Sequence, residues 1–245
     1  MSRPFEIARD IDLPAAPEDV WAAITSGTDA WQFPSGLKLP AGDAAPAGGP
    51  IAEWDPPRRL VIRTESPDGT FNALEYVIEA RAGGTARLRY VHSGILADEW
   101  ADQYDAIGPH TDFYLHTLGQ YLEHFIGRDA TYVGQPSAGI QGPPAAGAPA
   151  AMDALRSALG VAPDASVGDE VHTSLGDAGA LDGVIDYATP DFLGVRTADG
   201  LYRFFGRNRF GGVVGMSAHL FADGVDAAAR EAALQSWLDG VYAAA

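Results

Sequence analysis

The sequence predicts an α+β fold of antiparallel strands closed by helices, and three observations carry that prediction. Between residues 51 and 95, apolar and polar residues alternate in runs separated by short Pro- or Gly-containing turns, the pattern of a half-buried antiparallel meander. Helical periodicity flanks that meander on both sides. The stretch GQPSAGIQGPPAAGAPA, Gly134 to Ala150, then loses both periodicity and charge, and beyond it strands followed by a closing helix occur a second time.

The first strand is expected over Phe5–Leu13, where Phe5, Ile7, Ile11 and Leu13 sit mostly at even spacing among charged residues. A helix follows in PAAPEDVWAAIT. Pro17 suits its first turn, Glu18 and Asp19 complement the positive end of the dipole, and Val20, Trp21 and Ile24 form the buried stripe. Pro40–Pro50 (PAGDAAPAGGP) is expected as an exposed loop. Four strands are then predicted, Ile51–Trp54, Leu60–Thr64, Phe71–Ala80 and Thr85–Ile95, with SPDG and AGG short enough for hairpin turns. Ala97–Arg128 is helical in period, and Gly108-Pro109 is expected to divide it into a short helix feeding a longer one. On the longer helix Leu115, Leu118, Leu122 and Phe125 or Ile126 make the stripe that packs on the sheet.

The second part is expected to run helix (Met152–Leu159), strands (Glu170–Leu175, Gly183–Tyr187, Phe192–Thr197, Leu201–Gly206, Gly212–Leu220) and a closing helix from about Val225 to Tyr242. Asp226 is the expected cap of that helix, and Leu234, Trp237, Leu238 and Val241 its stripe. Letters repeat as well as pattern. IAEWDPPRRLVIRT (Ile51–Thr64) aligns with VIDYATPDFLGVRT (Val184–Thr197), matching Trp54 with Tyr187, Pro57 with Pro190, Leu60 with Leu193 and Arg63-Thr64 with Arg196-Thr197. LGQYLEHF from Leu118 likewise matches LQSWLDGV from Leu234. A degenerate internal duplication accounts for this, and so does the shared turn chemistry of two unrelated hairpins.

Composition removes several classes of function. With 33 acidic and 16 basic residues the chain carries a net charge of -17, shared as -9 by residues 1–128 and -8 by residues 129–245. Duplex-tracking nucleic-acid binding and attraction to anionic membranes are therefore not expected. The absence of cysteine excludes disulfides, thiolate catalysis and sulfur-ligated metals. No apolar run resembles a secretory signal or reaches the length that spans a bilayer, so cytoplasmic residence is expected. The Arg, Ala, Gly and Pro bias suggests a GC-rich bacterial genome. Glycine-rich phosphate loops and the Gly-x-Ser-x-Gly elbow are missing, and the histidines show no metal-ligand spacing, so no cofactor and no metal are expected.

Four segments in order carry a family resemblance: the helix PAAPEDVWAAI (Pro14–Ile24), the strand entry WDPPRRLVI (Trp54–Ile62), the meander, and the helix end LGQYLEHF (Leu118–Phe125). Together they resemble the SRPBCC (START-like, helix-grip) superfamily, and within it the branch named for the activator of heat-shock protein 90 ATPase. The resemblance covers about Met1 to Arg128. It implies an antiparallel sheet wrapped around a long C-terminal helix, with a cavity between them open to small apolar molecules. The expected organisation is a helix-grip domain over residues 1–130, a linker over 131–150, and a smaller α+β domain over 151–245 that repeats the first in worn form, without its N-terminal strand. Family members usually carry a strand pair where this chain has Pro34–Pro50, so the sheet is expected to be short or open on that side.

A pocket of this kind would draw on aromatic and polar residues facing inward. The candidates are Trp31, Phe33, Trp54, Tyr76, Tyr90, His92, Trp100, Tyr104, His110, Phe113 and Tyr114, residue types that also build ordinary cores. His92, Tyr104 and His110 are the polar groups a cyclase- or dehydratase-like reaction would need. Asp112 and His116 are expected to pair at i, i+4 on an exposed helix face. Asp98, Glu99, Asp102 and Asp105 are expected to stabilise a helix start, and Arg203, Arg207 and Arg209 to pair with carboxylates. Three functions stay open: binding of a small apolar or aromatic ligand, a protein-interaction module with a chaperone or a second copy as partner, and an enzyme acting from the cavity wall.

Overall fold

A computed structural model describes residues 3–96 and 100–243, without the side chains of residues 3, 96 and 100–104. Asp98 and Glu99, and the side chain of Asp102, thus lie outside what is described. The chain divides into two compact units, Met1–Thr28 with Gly36–Gly127, and Asp29–Ser35 with Arg128–Ala245. Each holds an antiparallel sheet with helices, an α+β architecture.

In the first unit, β1 (Arg3–Leu13) leads into α1 (Pro17–Ile24), followed by β2 (Ile51–Asp55), β3 (Arg59–Glu65), β4 (Phe71–Arg81), β5 (Thr85–Leu96) and α2 (Trp100–His124). The sheet order is β1-β5-β4-β3-β2, so the first strand closes onto the last strand of the meander and β2 is the edge on the Pro34–Pro50 side. Helix α1 starts with Pro17, Glu18 and Asp19 and buries Val20, Trp21, Ala23 and Ile24 against β4 and β5. Helix α2 runs against β1 and α1. It continues unbroken through Pro109, where the sequence suggested a division. The carbonyl that loses its donor belongs to Asp105, an exposed residue whose backbone water can reach. The stripe resolves in favour of Phe125, which is buried, while Ile126 is 44% exposed.

The second unit runs β6 (Thr131–Val133), β7 (Ile140–Gln141), α3 (Ala151–Ala158), β8 (Glu170–Ser174), β9 (Ala180–Ala188), β10 (Phe192–Thr197), β11 (Gly200–Gly206), β12 (Val214–Leu220) and α4 (Ala227–Ala243). Its sheet order is β6-β12-β11-β10-β9-β8, with β7 also pairing β12. The topology matches the first unit strand for strand: β6 stands where β1 stands, β12 to β9 where β5 to β2 stand, and β8 is an added edge. The aligned segments fall on β2–turn–β3 and β9–turn–β10.

Two expectations are corrected here. Residues 131–150 are not a linker, since they supply β6, β7 and the buried side chains Val133, Ile140 and Ala146. Nor has the second half lost its N-terminal strand, because β6 is that strand. Local composition misleads because glycine here serves close packing: Gly139 has φ +68°, and a Cβ on it would stand 2.5 Å from the Met216 carbonyl oxygen. Asp226 caps α4 as expected, its carboxylate accepting from the Ala229 N–H at 3.0 Å. On one face of the sheet Leu193, Val195, Phe204, Met216 and Ala218 form a core with Leu155, Leu234 and Leu238 of the helices.

Candidate functional site

The period of two along each strand, combined with the register, aligns side chains into rows on the helix-facing side of the first sheet. One row runs Trp54, Leu60, Tyr76, Tyr90 and Arg9; the next runs Ile62, Leu74, His92 and Ile7; the third runs Thr64, Asn72, Gly94 and Phe5. On β3 and β4 burial falls from row to row, while on β1 Ile7 and Phe5 are buried. Leu60, Tyr76 and Tyr90 are buried, Ile62, Leu74 and His92 are half-buried, and Thr64 and Asn72 are exposed. The face is therefore closed at the α1 end and along β1, and exposed at its β3–β4 corner near Thr64 and Asn72.

Tyr76 and Tyr90 meet edge to face with ring centres 5.1 Å apart. Neither phenol hydroxyl has a hydrogen-bond partner among the described residues. Burial pushes both pKa values up, and for Tyr90 the neighbouring Tyr76 adds to the effect, so both stay protonated at neutral pH. His92 lies one row away with its Nε2 2.6 Å from Asn72 Oδ1, and the Phe5 ring stands edge-on at 5.0 Å. With that oxygen as acceptor, Nε2–H donates and Nδ1 keeps its lone pair. Burial lowers the His92 pKa, which favours the neutral ring.

Charge at the rim is compensated. Arg9 bonds Asp112 of α2 through both its Nε and its Nη2, the latter at 3.2 Å, and donates to the Ala8 carbonyl at 3.0 Å. Asp112 thus pairs across to β1 and not along its own helix with His116. A cavity of about 300 Å³, lined by Ile7, Arg9, Asp105 and Gly108 among others, opens beside this pair.

Of the eleven candidates, the fold brings Trp54, Tyr76, Tyr90 and His92 onto one face. Trp54 stands at the end of its row against Trp21, with ring centres 4.9 Å apart. Phe113 is buried and Tyr114 half-buried on α2, and His110 Nδ1 bonds the Ala106 carbonyl of its own helix at 2.8 Å. Trp31 and Phe33 fall in the second unit. The side chains of Trp100 and Tyr104 lie outside the described residues. Phe5, Arg9 and Asn72 belong to the site and escaped the sequence reading, although Asn72 stands at the period-two position before Leu74 and Tyr76.

Two arginines of the Leu201–Phe210 stretch make contacts within the second unit. Arg203 Nη1 holds both oxygens of buried Asp186, at 2.9 and 3.0 Å. Arg207 donates to the backbone carbonyls of Ala138 and Ser137 and covers the Phe205 ring. Among the described residues no group of three or more His, Asp or Glu side chains could hold a metal, and no helix is long and apolar enough to cross a membrane.

No family model matches the chain, and neither does any curated protein. Solved structures similar to it include the Mll3558 protein of Rhizobium loti (16% identity, TM-score 0.38, covering 50% of this chain and 99% of that one). An AHSA1-like protein of Rhizobium etli covers 51% of this chain and 84% of its own, at 24% identity and TM-score 0.36. DynU16, a protein of the dynemicin biosynthetic locus, covers 97% of this chain and 96% of its own, at 14% identity and TM-score 0.37.

Proposed function

We propose that the first unit binds a small, uncharged, oxygen-bearing apolar or aromatic molecule on the helix-facing side of its sheet. The observation that carries this is the contrast between equivalent rows of the two units. Leu60, Tyr76 and Tyr90 correspond by alignment and register to Leu193, Phe204 and Met216, and Ile62, Leu74 and His92 to Val195, Tyr202 and Ala218. In the second unit Leu193, Phe204, Met216, Val195 and Ala218 are fully buried in a filled core. In the first, the same places hold two unpaired phenols and a neutral imidazole at an open end. Phenol hydroxyls that make no bond within the protein leave donor capacity that a ligand can take up. Two O–H donors and the His92 Nδ1 acceptor suit hydroxyl or carbonyl groups on a ring-sized ligand. Paired Arg9 and Asp112 leave no net charge to attract an ion. On this reading the second unit is a repeat whose interior has closed.

Native mass spectrometry after incubation with a mixture of apolar aromatic alcohols and ketones tests the proposal. Retention of one species by the full chain, and its loss in Tyr76→Phe/Tyr90→Phe, is the expected result. Equal retention by that doubly substituted protein, or no retention by the unsubstituted chain, would sink it. The substitutions remove only two oxygen atoms and keep the packing.

A further inference from the structure

Strand β1 ends the first sheet, and the phase of the sheet's hydrogen bonds fixes which of its backbone groups are left over. The Ile78 N–H donates to the Arg58 carbonyl at 2.8 Å, so the even-numbered residues of β4 point their N–H and C=O groups at β3 and the odd-numbered ones point theirs at β5. The registers of β4 with β5 and of β5 with β1 run without a shift, and they carry this phase through to the odd-numbered residues of β1, which bond β5. The N–H and C=O groups of Glu6, Ala8, Asp10 and Asp12 therefore point away from the sheet along a free edge. Two observations agree. The Ala8 carbonyl accepts from the Arg9 side chain at 3.0 Å, and Pro4, which has no N–H to give a ladder, falls in the outward set.

The cavity of about 300 Å³ beside Arg9 lies along this edge. It is lined by the consecutive strand residues Glu6, Ile7, Ala8 and Arg9, whose side chains alternate between the two faces of the sheet, so it borders the rim of the strand and not one face. Asp105 and Gly108 of α2 form the opposite wall. Beyond it the gap shuts: Asp112 ties α2 to Arg9, and a Cβ on Gly119 would stand 3.8 Å from Leu13 Cδ2. The open stretch presents the N–H groups of Glu6 and Ala8 and the Glu6 carbonyl over a length of about 10 Å. Donors and acceptors in that row match an extended backbone. The lining is acidic, since Glu6 and Asp105 belong to it and its cation, Arg9, is held by Asp112. Like charge disfavours a second copy of this acidic edge as the occupant, and the net charge of -17 acts in the same direction.

We propose that the gap between β1 and α2 binds an extended basic peptide segment of another protein, which adds as a strand to the Glu6–Ala8 edge and sets lysine or arginine side chains near Glu6 and Asp105. The probe is a blocked pentapeptide of alternating threonine and lysine, titrated into the full chain while the backbone amide resonances of Glu6 and Ala8 are followed by NMR. Saturable shifts at both amides are expected. Methylating two successive peptide nitrogens removes a ladder donor in either phase and should abolish the shifts, and replacing the lysines by glutamate should do the same. Ala8→Pro, which deletes one outward donor and leaves the bonds to β5 in place, and Glu6→Gln/Asp105→Asn, both at exposed positions, should each weaken binding by about threefold or more. The methylated peptide leaves the protein untouched, so its result stands even where a substitution perturbs folding. Equal binding of the plain and methylated peptides, an unchanged affinity in Glu6→Gln/Asp105→Asn, self-association of the chain through this edge, or no saturable shift at all would each overturn the proposal.

Discussion

Acidification should weaken the second unit through one histidine. His219 on β12 is 1% exposed, and its Nε2–H donates to the Gln32 carbonyl at 3.1 Å, clipping the 29–35 segment to that unit's sheet. Its Nδ1 has no hydrogen-bond partner. Burial is the main cause that lowers its pKa from 6.5 to about 4; nearby Arg203 lowers it further, while the bond to Gln32 and the charge of Asp29 act in the opposite direction. The unfolded chain therefore binds this proton below about pH 6.5, whereas the native state resists it down to about 4. Because the unfolded state carries the extra proton in that window, stability falls as pH is lowered through it and the loss levels off below the native pKa. A difference of that size corresponds to about 3 kcal/mol between pH 7 and pH 4. Urea unfolding of the full chain and of His219→Gln at several pH values between 7 and 4 isolates the effect, since the carboxylates titrate alike in both. Glutamine retains a donor toward Gln32 but no titrating ring. The unsubstituted chain should lose about 3 kcal/mol more than His219→Gln over this range. Parallel pH profiles for the two proteins would refute the reasoning.

Other consequences follow from single distances. A Cβ at Gly194 would lie 2.1 Å from Asp186 Oδ1 and 2.6 Å from Arg203 Nη1, so Gly194→Ala should disrupt the buried pair at a cost of about 3–5 kcal/mol, read from the urea midpoint. A cost below about 1 kcal/mol would mean that the pair relaxes around the new methyl group. Asp226→Ala removes the cap of α4 and should cost about 1 kcal/mol in the same measurement. The Arg9–Asp112 pair has side chains 36% and 41% exposed, and its coupling in a double-mutant cycle should not exceed about 1 kcal/mol and should shrink in salt. A larger, salt-independent coupling would show that the rim of the sheet-face site is drier than its exposure suggests.

Elements whose signal is local were legible in the sequence. Helix α1 follows from Pro17, the acidic pair after it and the Val20, Trp21, Ile24 stripe, and the β4–β5 hairpin follows from AGG between two alternating runs, because helix and strand periods and turn chemistry act over a few residues. Tyr90 with His92, and Leu74 with Tyr76, could be placed on common faces for the same reason. The alignment of Trp54 with Tyr187 and Leu60 with Leu193 already indicated that the second half follows the first. What spacing could not supply was the register across strands, which sets Tyr76 against Tyr90 and leaves the corresponding Phe204 and Met216 in a filled core.

Only the tertiary structure decided the long-range partners. Asp112 turned from His116, four residues away, to Arg9, 103 residues away, because α2 runs along β1. The glycine- and proline-rich stretch after Gly134 looked like a tether because nothing in it is periodic, yet Ile140 pairs with β12 and both Ile140 and Ala146 are buried. Residues 29–35 precede the first meander in the chain and still belong to the second unit, held by His219 from 187 positions away. Composition and periodicity thus determined an acidic, cysteine-free α+β chain with two similarly ordered halves. Which polar groups were paired and which were left without partners were set by contacts between distant residues, whose energies depend on distance and burial and leave no mark on the local pattern of the sequence.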